Sequence, residues 1–369
     1  MRIGILTPTP RVNYGGIMQA YALQTVLERL GHNVEVIYTP RKPWSLPCWK
    51  RPFAYTKRFI KKYLLHKGDR IFVEQYENDI YPLISQHTQK FVDQYIHKLN
   101  VDNYSQLTSN VFDAIVVGSD QIWRPKYYDC IENSFLDFAQ HWKIKRIAYA
   151  ASFGTEEWEY TPEQTQSCAR LANIFDLITV REHSGVKLCK DYLGVEAHHV
   201  LDPTLLLETS DYIKLIEQGT PSMSQGTLFN YILDDSPQKQ EVIKHIAKKY
   251  NLTPFRVNGK VYVRTAPLEQ RIQAPVEQWL RAFLDAEFIV TDSFHGCVFS
   301  ILFKKPFVVI GNEKRGMARF QSLLKTFGLE DRLILPEAIN YSEEIDWDKV
   351  YTRLNECRKD SLSILMPFL

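Results

Sequence analysis

Short apolar runs alternate with amphipathic segments along most of the chain. RIGIL, VEVIY and AIVV are runs of the kind that form buried strands, and IMQAYALQTVLERL has the spacing of a helix that ends at Gly31. The same alternation continues through DLITV, TLFNYI, FIV and PFVVI. Repeated strand–helix units are typical of α/β proteins with parallel sheets. We therefore predict two Rossmann-like domains that face each other across a cleft.

The alternation falls into two blocks, which set the expected domains. Residues 1–155 form an N-terminal α/β domain, residues 156–340 a C-terminal α/β domain, and residues 341–369 a closing helix. A length of 369 residues is enough for two cores. No apolar run is long enough to span a membrane, and the start, MRIGILTPTP, is too quickly polar for a signal peptide. We expect a cytoplasmic protein. The six scattered cysteines lack metal-ligand spacing, so reduced thiols and no metal site are expected.

The junction after the run FIV concentrates polar groups at the end of a predicted strand. Asp292 and Ser293 favour the start of a helix, and His295 and Gly296 follow closely. Ligands bind at the carboxyl ends of strands in open α/β sheets, so a site is predicted here. The alternative is that Asp292 and Ser293 only cap the helix, while His295 is a satisfied core histidine.

Three further junctions in the first block also place small or polar residues after an apolar run. Their candidate substrate-binding residues are Asn13, Tyr14, Gly15, Gly16, Ser119, Asp120, Gln121, Trp123 and Ser152. The two glycines would let a ligand approach the positive end of the following helix. A carboxylate beside an amide and an indole suits sugar hydroxyls, although Asp120 capping a turn is the plain alternative.

Basic charge is concentrated in residues 41–70. This segment contains ten lysines or arginines and one acid, a local charge of +9 in a chain whose formal net charge is +2. The rest of the chain is therefore acidic, which argues against general nucleic-acid binding. A helix is predicted from Thr56, with Lys57, Arg58, Lys61 and Lys62 on one face and Phe59, Ile60, Tyr63 and Leu64 on the other. Such a helix could lie on an anionic membrane, or could pack its apolar face on its own domain.

Several segments of the chain, taken in the order in which they occur, resemble the polysaccharide pyruvyl transferase family. They are NYGGIMQAYALQ, VGSDQIW, ASFGT, TVREHSGVKL, VLDPTLL and TDSFHG, and the resemblance runs from about residue 3 to about residue 328. It implies a glycosyltransferase-B-like fold and the transfer of pyruvate from phosphoenolpyruvate to a sugar as a cyclic ketal. The source would be a bacterium that makes a capsule, an exopolysaccharide or another surface glycan. The N-terminal domain would hold the acceptor and the C-terminal domain the donor.

The resemblance also implies roles for individual residues. His295 matches the histidine of the family's Ser-x-Arg-Leu-His pattern and would act as general acid or as a donor to phosphate. Arg181 matches the family's arginine before a helix that starts near Ser184, and its guanidinium suits phosphate or carboxylate. Asp120 would be the base for a sugar hydroxyl. Together these three residues are the expected catalytic set.

The chain departs from the family pattern at Ser293, where a second arginine is usual. Lys314 or Arg315 would replace the lost charge, unless their loop is simply solvated. Phosphoenolpyruvate is the expected donor, and the route requires neither a metal nor a redox cofactor. The expected acceptor is an undecaprenyl-diphosphate-linked oligosaccharide at the inner face of the cytoplasmic membrane, near residues 41–70. Two alternatives remain: a nucleotide-sugar-dependent glycosyltransferase of the same fold, and a non-catalytic glycan-binding member.

Overall fold

The computed structural model describes residues 1–66, 70–311 and 316–369. Within those ranges the strands form two sheets, one of seven strands and one of five, and the paired strands of both run parallel. Parallel strands covered by helices on both faces are apolar throughout. The runs AIVV, LITV and FVVI are accordingly buried at every position. The predicted α/β class with two Rossmann-like domains is confirmed.

The first sheet is built from β1 Arg2–Leu6, β2 Asn33–Tyr38, β3 Lys98–Asn100, β4 Ala114–Val117, β5 Lys145–Ala151, β6 Leu177–Val180 and β7 His198–His199. Its strand order is β3-β2-β1-β4-β5-β6-β7. In the centre, Ile5 of β1 aligns with Val36 of β2 on one side and with Val116 of β4 on the other. The carboxyl ends of β4 to β7 therefore lie side by side.

The second sheet is built from β8 Leu228–Tyr231, β9 Pro254–Phe255, β10 Phe288–Thr291, β11 Phe307–Ile310 and β12 Leu333–Ile334. Its order is β12-β11-β10-β8-β9, so β10 is central. Val290 of β10 aligns with Val308 of β11 and with Asn230 of β8. The junction that carries His295 thus follows the middle strand of this sheet.

Helices connect the strands and cover both sheets. They are α1 Tyr14–Arg29, α2 Arg51–Tyr63, α3 Val73–Tyr95, α4 Pro162–Ala172, α5 His183–Leu188, α6 Thr209–Gly219, α7 Pro237–Tyr250, α8 Leu268–Arg271, α9 Val276–Asp285, α10 Phe294–Leu302, α11 Ala318–Phe327 and α12 Trp347–Leu365. The side chains of Asn13 and Ser293 cap α1 and α10, because each accepts a bond from a backbone N–H in the first turn.

The chain passes from the first sheet to the second later than the sequence pattern predicts. β6 pairs with β5 and β7 pairs with β6, so the first domain extends through His199 instead of ending at residue 155. The second sheet begins at Leu228. The predicted boundary is corrected accordingly, since a strand–helix unit does not show locally which sheet it will join. Arg181 consequently belongs to the first domain, not to the domain expected to hold the donor.

The closing helix α12 returns to the connection between the two sheets. The backbone N–H of Leu201 donates to Ser361 Oγ at 3.0 Å. The Arg358 guanidinium donates to the carbonyl oxygens of Leu205 and Leu207, both at 2.6 Å. These bonds pair backbone groups of a buried connector that no strand satisfies. The last helix therefore stabilises the junction of the domains.

The first turn of α1 is embedded in the second domain. Tyr14 is fully buried, stacks on Trp279 with 5.0 Å between ring centroids, and donates from its hydroxyl to the Ala274 carbonyl at 2.8 Å. Nearby, Gln273 Nε2 donates to the Val12 carbonyl at 2.9 Å. One apolar cluster contains side chains of both domains, Tyr14 and Trp279 among them. The two domains therefore share a core at this point.

The basic helix α2 does not pack its apolar side on the first domain. None of its residues is buried, and large apolar side chains on it and beside it are exposed, among them Trp49, Phe53, Phe59 and Leu64. This excludes the alternative in which the apolar face covers the domain. A separate observation is that no helix among the described residues is long and apolar enough to cross a membrane.

Candidate active site

Polar residues follow four neighbouring strands of the first sheet and meet at one edge. Ser119 and Asp120 come after β4, Ser152 after β5, Arg181 and Glu182 after β6, and Asp202 shortly after β7. All six are brought together through the contacts described below. The structure brings the predicted residues Ser119, Asp120, Ser152 and Arg181 together at this edge, and it adds Glu182 and Asp202, which the sequence did not single out.

Arg181 lies at the centre of this cluster. Its guanidinium places Nη1 2.6 Å from Asp202 Oδ2, Nη2 3.3 Å from Asp120 Oδ1, and Nε 3.3 Å from Glu182 Oε1. Burial alone would lower the pKa of Arg181, but the three carboxylates raise it above its ordinary value. Arg181 is therefore a permanent cation held in one orientation.

His295 approaches the same cluster from the second domain. It lies in the first turn of α10, and its Nε2 is 3.7 Å from Asp202 Oδ2. The opposite edge of the ring packs on Gly15 of α1, where an added Cβ would lie 2.1 Å from Nδ1. His295 is thus buried between a glycine and a carboxylate of the first domain. It is not a histidine of its own domain's core.

Asp202 connects the arginine and the histidine. Its Oδ1 accepts from the Thr204 backbone N–H at 3.0 Å and from the Thr204 hydroxyl at 2.6 Å, and its Oδ2 accepts from Ser119 Oγ at 3.2 Å. Burial alone would raise the pKa of Asp202, but His295, Arg181 and Thr204 lower it well below its usual range. The carboxylate stays ionised, balances the charge of Arg181 and lies beside His295. The segment VLDPTLL, one of those carrying the family resemblance, was the signal that could have revealed it.

Glu182 is the second carboxylate that sequence reasoning missed. Ser152 Oγ donates to its Oε1 at 2.6 Å. Burial raises the pKa of Glu182 above its ordinary value, in spite of Arg181 and Ser152, which act in the opposite direction. The pKa of Asp120, by contrast, is lowered. Burial alone would raise it, but Arg181 and His295 lower it by more. Neighbouring carboxyl groups with opposite shifts are typical of acid–base sites.

Arg319, at the start of α11, is a third functional candidate that the sequence did not single out. It is buried, and its guanidinium lies 5.8 Å from the Phe294 ring centroid, while that of Arg181 lies 4.2 Å from the same ring. The pKa of Arg319 is lowered to about 10. Burial and the neighbouring charge of Arg181 lower it, whereas Asp120 and Glu182 act in the opposite direction. At neutral pH it is still a cation beside the cluster.

Two residues of the junction after β10 have structural roles. The Asp292 carboxylate accepts from the backbone N–H groups of Leu233 and Asp234, at 2.7 and 3.1 Å, and from Lys239 Nζ at 2.6 Å. Ser293 Oγ accepts from the Gly296 N–H at 3.3 Å. The predicted substrate contact of Asp292 is corrected, because its carboxylate holds the loop after β8. Gly296 packs on β10, where an added Cβ would lie 2.1 Å from Thr291 Oγ1.

The predicted sugar-binding aromatic residues also have other roles. Trp123 is fully buried, stacks on Phe135 at 4.6 Å between centroids, and donates from Nε1 to the Ser134 carbonyl at 3.0 Å. Tyr14 is likewise buried, between the domains. Neither can offer a ring to a sugar, so both predictions are corrected.

The remaining predicted residues divide between the rim of the cluster and its surroundings. Asn13 is exposed and accepts from the Gly16 N–H at 3.2 Å as a helix cap. Gln121 accepts from Arg124 Nη1 at 3.1 Å. Ser184 Oγ is buried and has no hydrogen-bond partner among the described residues. Lys314 and Arg315 lie outside those residues. Within the same ranges, no group of three or more His, Cys, Asp or Glu is arranged to hold a metal ion.

The fold and the cluster define a two-domain α/β protein whose candidate acid–base groups and buried cations meet at the domain junction. Residues 13–314 match the family described as polysaccharide pyruvyl transferase, and the chain belongs to that family. It is therefore a transferase enzyme, and its family indicates polysaccharide pyruvylation in general terms. No curated protein sequence matches the chain.

Solved structures of several sugar-nucleotide enzymes are similar in outline. UDP-GlcNAc 2-epimerase from Methanocaldococcus jannaschii is 14% identical, with a TM-score of 0.48 over 96% of this chain and 92% of that one. ADP-heptose LPS heptosyltransferase II from E. coli is 13% identical, with a TM-score of 0.38 over 98% and 99%. MurG from Acinetobacter baumannii is 10% identical, with a TM-score of 0.43 over 100% and 98%. Likenesses this distant say nothing about the substrate of this chain.

Proposed function

We propose that this protein transfers pyruvate from phosphoenolpyruvate to a sugar of a bacterial surface glycan, forming a cyclic ketal and releasing phosphate. The observation that supports the proposal is the position of His295 beside Asp202, which also pairs with Arg181, at the domain junction of a chain from this family. The reaction needs a proton donor and fixed positive charge around an anionic donor. The cluster offers both within a few ångströms.

In the proposed reaction, His295 donates a proton to the methylene carbon C3 of phosphoenolpyruvate, and C2 becomes electrophilic. A sugar hydroxyl adds to C2 and gives its proton to Asp120. Asp120 is the most accessible carboxylate of the cluster, because 15% of its side chain is exposed, compared with 2% for Glu182 and none for Asp202. The C2–O bond to phosphate breaks, and the departing phosphate takes the proton that Asp120 accepted. A second hydroxyl then adds to C2, closes the ring and returns its proton to His295. No oxidation or reduction occurs, and the proposed route requires neither a redox cofactor nor a metal.

Ser293 stands where the family usually has a second arginine. We propose that Arg319 supplies the positive charge that is missing at that position. The two guanidinium groups of Arg181 and Arg319 flank Phe294, which immediately precedes His295. Arg181 is balanced by three carboxylates, so a donor with a phosphate and a carboxylate needs a further cation nearby. Arg319 keeps its charge at neutral pH, since its pKa is lowered only to about 10.

Arg319→Met should raise the KM for phosphoenolpyruvate by roughly 10- to 100-fold, as expected when a charge-assisted hydrogen bond is lost. Steady-state kinetics with saturating acceptor measure this. Arg353→Met, on the exposed side of α12, is the matched control and should leave KM unchanged. An unaltered KM in Arg319→Met, with folding intact, would refute the assignment of Arg319 to the donor.

The acceptor is proposed to be a lipid-linked oligosaccharide, such as one carried on undecaprenyl diphosphate at the inner face of the cytoplasmic membrane. The support is the exposed basic and aromatic surface of α2, which suits a membrane-bound substrate. The enzyme would then act before the glycan is exported.

Phosphate release tests the proposed function. Incubation with phosphoenolpyruvate should release phosphate only when a galactose- or mannose-type glycan is also present, and this release should be lost in His295→Ala. A panel of lipid-linked glycans would identify the acceptor. Stimulation only by a uridine or guanosine diphosphate sugar would instead favour a glycosyltransferase. Absence of both activities, with no thermal stabilisation by phosphoenolpyruvate, would favour a glycan-binding member.

A further inference from the structure

The most unusual surface of the molecule lies on α2 and the turn before it. From Arg41 to His66 the chain has eight lysines or arginines and no aspartate or glutamate. Trp49, Phe53 and Leu64 are 70, 78 and 70% exposed. Large apolar side chains on a soluble surface are normally scattered, so a group of them on one short helix indicates a binding surface.

The helix is nevertheless held firmly along one side. Arg58 makes two bonds of 2.7 Å to the Glu74 carboxylate of α3, and a third, of 3.0 Å, to the Ile71 carbonyl. Tyr55 packs edge-on against Phe72, with 5.0 Å between the ring centroids. These contacts fix α2 to the start of α3. They leave the side with Phe53, Ile60 and Leu64, spaced seven and four residues apart, directed away from the domain.

The three lysines of α2 remain accessible to solvent. Lys57 and Lys61 are exposed, and Lys62 is partly exposed with its ammonium 5.5 Å from the Tyr63 ring centroid. Arg58 is different, because Glu74 already balances its charge. An apolar stripe flanked by lysines and aromatic rings is the arrangement of helices that lie in the headgroup region of a bilayer.

Anionic lipid explains both properties of this surface, the apolar side chains and the basic charge, whereas a nucleic acid would explain only the charge. The apolar side chains can enter the boundary between headgroups and acyl chains, and the lysines can meet lipid phosphates. A nucleic acid would leave Phe53, Ile60 and Leu64 in water. We propose that α2 with its preceding turn, residues 48–64, docks the protein on an anionic membrane surface.

A continuous set of contacts links this surface to the candidate active site. Helix α3, which holds α2, forms a salt bridge of 2.7 Å between Glu77 and Arg271 of the second domain. Two residues further on, Gln273 bonds to Val12, immediately before the first turn of α1 that carries Gly15. Docking through α2 would therefore place the domain junction in a fixed relation to the membrane. This supports the proposed lipid-linked acceptor but does not depend on it.

Vesicle binding by the full-length protein tests the inference without reference to activity. The protein should sediment with vesicles of phosphatidylglycerol and phosphatidylcholine, and much less with phosphatidylcholine alone. Replacing Lys57, Lys61 and Lys62 together by glutamine should weaken binding to the anionic vesicles by about 100-fold. Phe53→Ser should weaken it as well, through loss of apolar insertion. Because none of the four side chains is buried, thermal unfolding should be nearly unchanged.

A matched variant distinguishes a specific surface from general charge. Replacing Lys244, Lys248 and Lys249 of α7 by glutamine removes the same charge from another exposed helix and should leave vesicle binding within about twofold. Equal loss in both triple variants would overturn the proposal, as would equal binding of neutral and anionic vesicles. So would the finding that Phe53→Ser converts a dimer into a monomer while vesicle binding stays intact, because a second copy would then cover α2.

Discussion

Gly15→Ala should inactivate the enzyme about as completely as removal of His295 itself. The added methyl would lie 2.1 Å from Nδ1 of His295, 2.5 Å from Cγ and 2.8 Å from Cε1, distances that no relaxed structure keeps. The ring is confined by Asp202 on its other side, so it must leave its position or force α1 and α10 apart. We expect a loss of about 10²–10⁴-fold in kcat, the range associated with a misplaced general acid. Phosphate release at saturating substrates measures it.

Gly16→Ala is the control for this prediction. Its added methyl would meet only Asn13, at 3.8 Å or more, which is ordinary contact. Both changes improve helix propensity in the same turn, so a difference between them reports the contact with His295. Overpacking costs about 1–3 kcal/mol, and Gly15→Ala should therefore unfold at a lower temperature but still fold. Equal activity of the two variants would contradict the position of His295.

Asp202→Asn should destabilise the protein by about 3–5 kcal/mol, because it leaves the buried Arg181 without its closest carboxylate. In either orientation the amide would also turn its NH2 group toward another donor. This donor is Arg181 Nη1, which is 2.6 Å from Oδ2 in the native protein, or the Thr204 N–H, which is 3.0 Å from Oδ1. Unfolding in urea, followed at pH 7, measures the loss. A change of less than about 1 kcal/mol would show that Asp120 and Glu182 suffice to balance the arginine.

The pH dependence of that loss has a definite sign. The pKa of Asp202 is depressed in the folded protein, so its contribution to stability is complete above the unfolded value of about 3.9 and declines as the pH falls below it. The difference between the native protein and Asp202→Asn should accordingly shrink below about pH 4. Glu182 has a raised pKa, so the native protein should lose stability relative to Glu182→Gln as the pH rises above about 4.3. Parallel pH curves for the two variants would exclude these opposite assignments.

The sequence was sufficient for the fold class and for most strands, because a buried parallel strand is recognisable from its own residues. The runs AIVV and FIVT have the apolar pattern of a buried strand, and both form buried strands in the structure. The prediction of the domain boundary was wrong for a different reason. LITV of β6 has the same local pattern as a strand that begins a new sheet, and only its pairing with β5 shows where it belongs.

The site was only partly predictable because its partners are distant in the chain. His295 and Arg181 could be proposed from family segments, but Asp202, which joins them, was not singled out, because the residues it contacts are far from it in the chain. Trp123 shows the opposite error. An indole beside Asp120 suggested a sugar platform, yet the direction of its ring is decided by packing on Phe135. Local sequence contains no information on that direction.

The embedding of Tyr14 limits how this protein can be recombined with its relatives. A chimaera that exchanges the second domain would have to bring a compatible first turn of α1 with it, because that turn stacks on Trp279 and bonds to Ala274. A cut in the connector after His199 would separate Tyr14 from its own Trp279 and leave a buried hydroxyl without its acceptor. Substrate specificity in this family can therefore be exchanged between relatives more safely by grafting loops than by swapping domains.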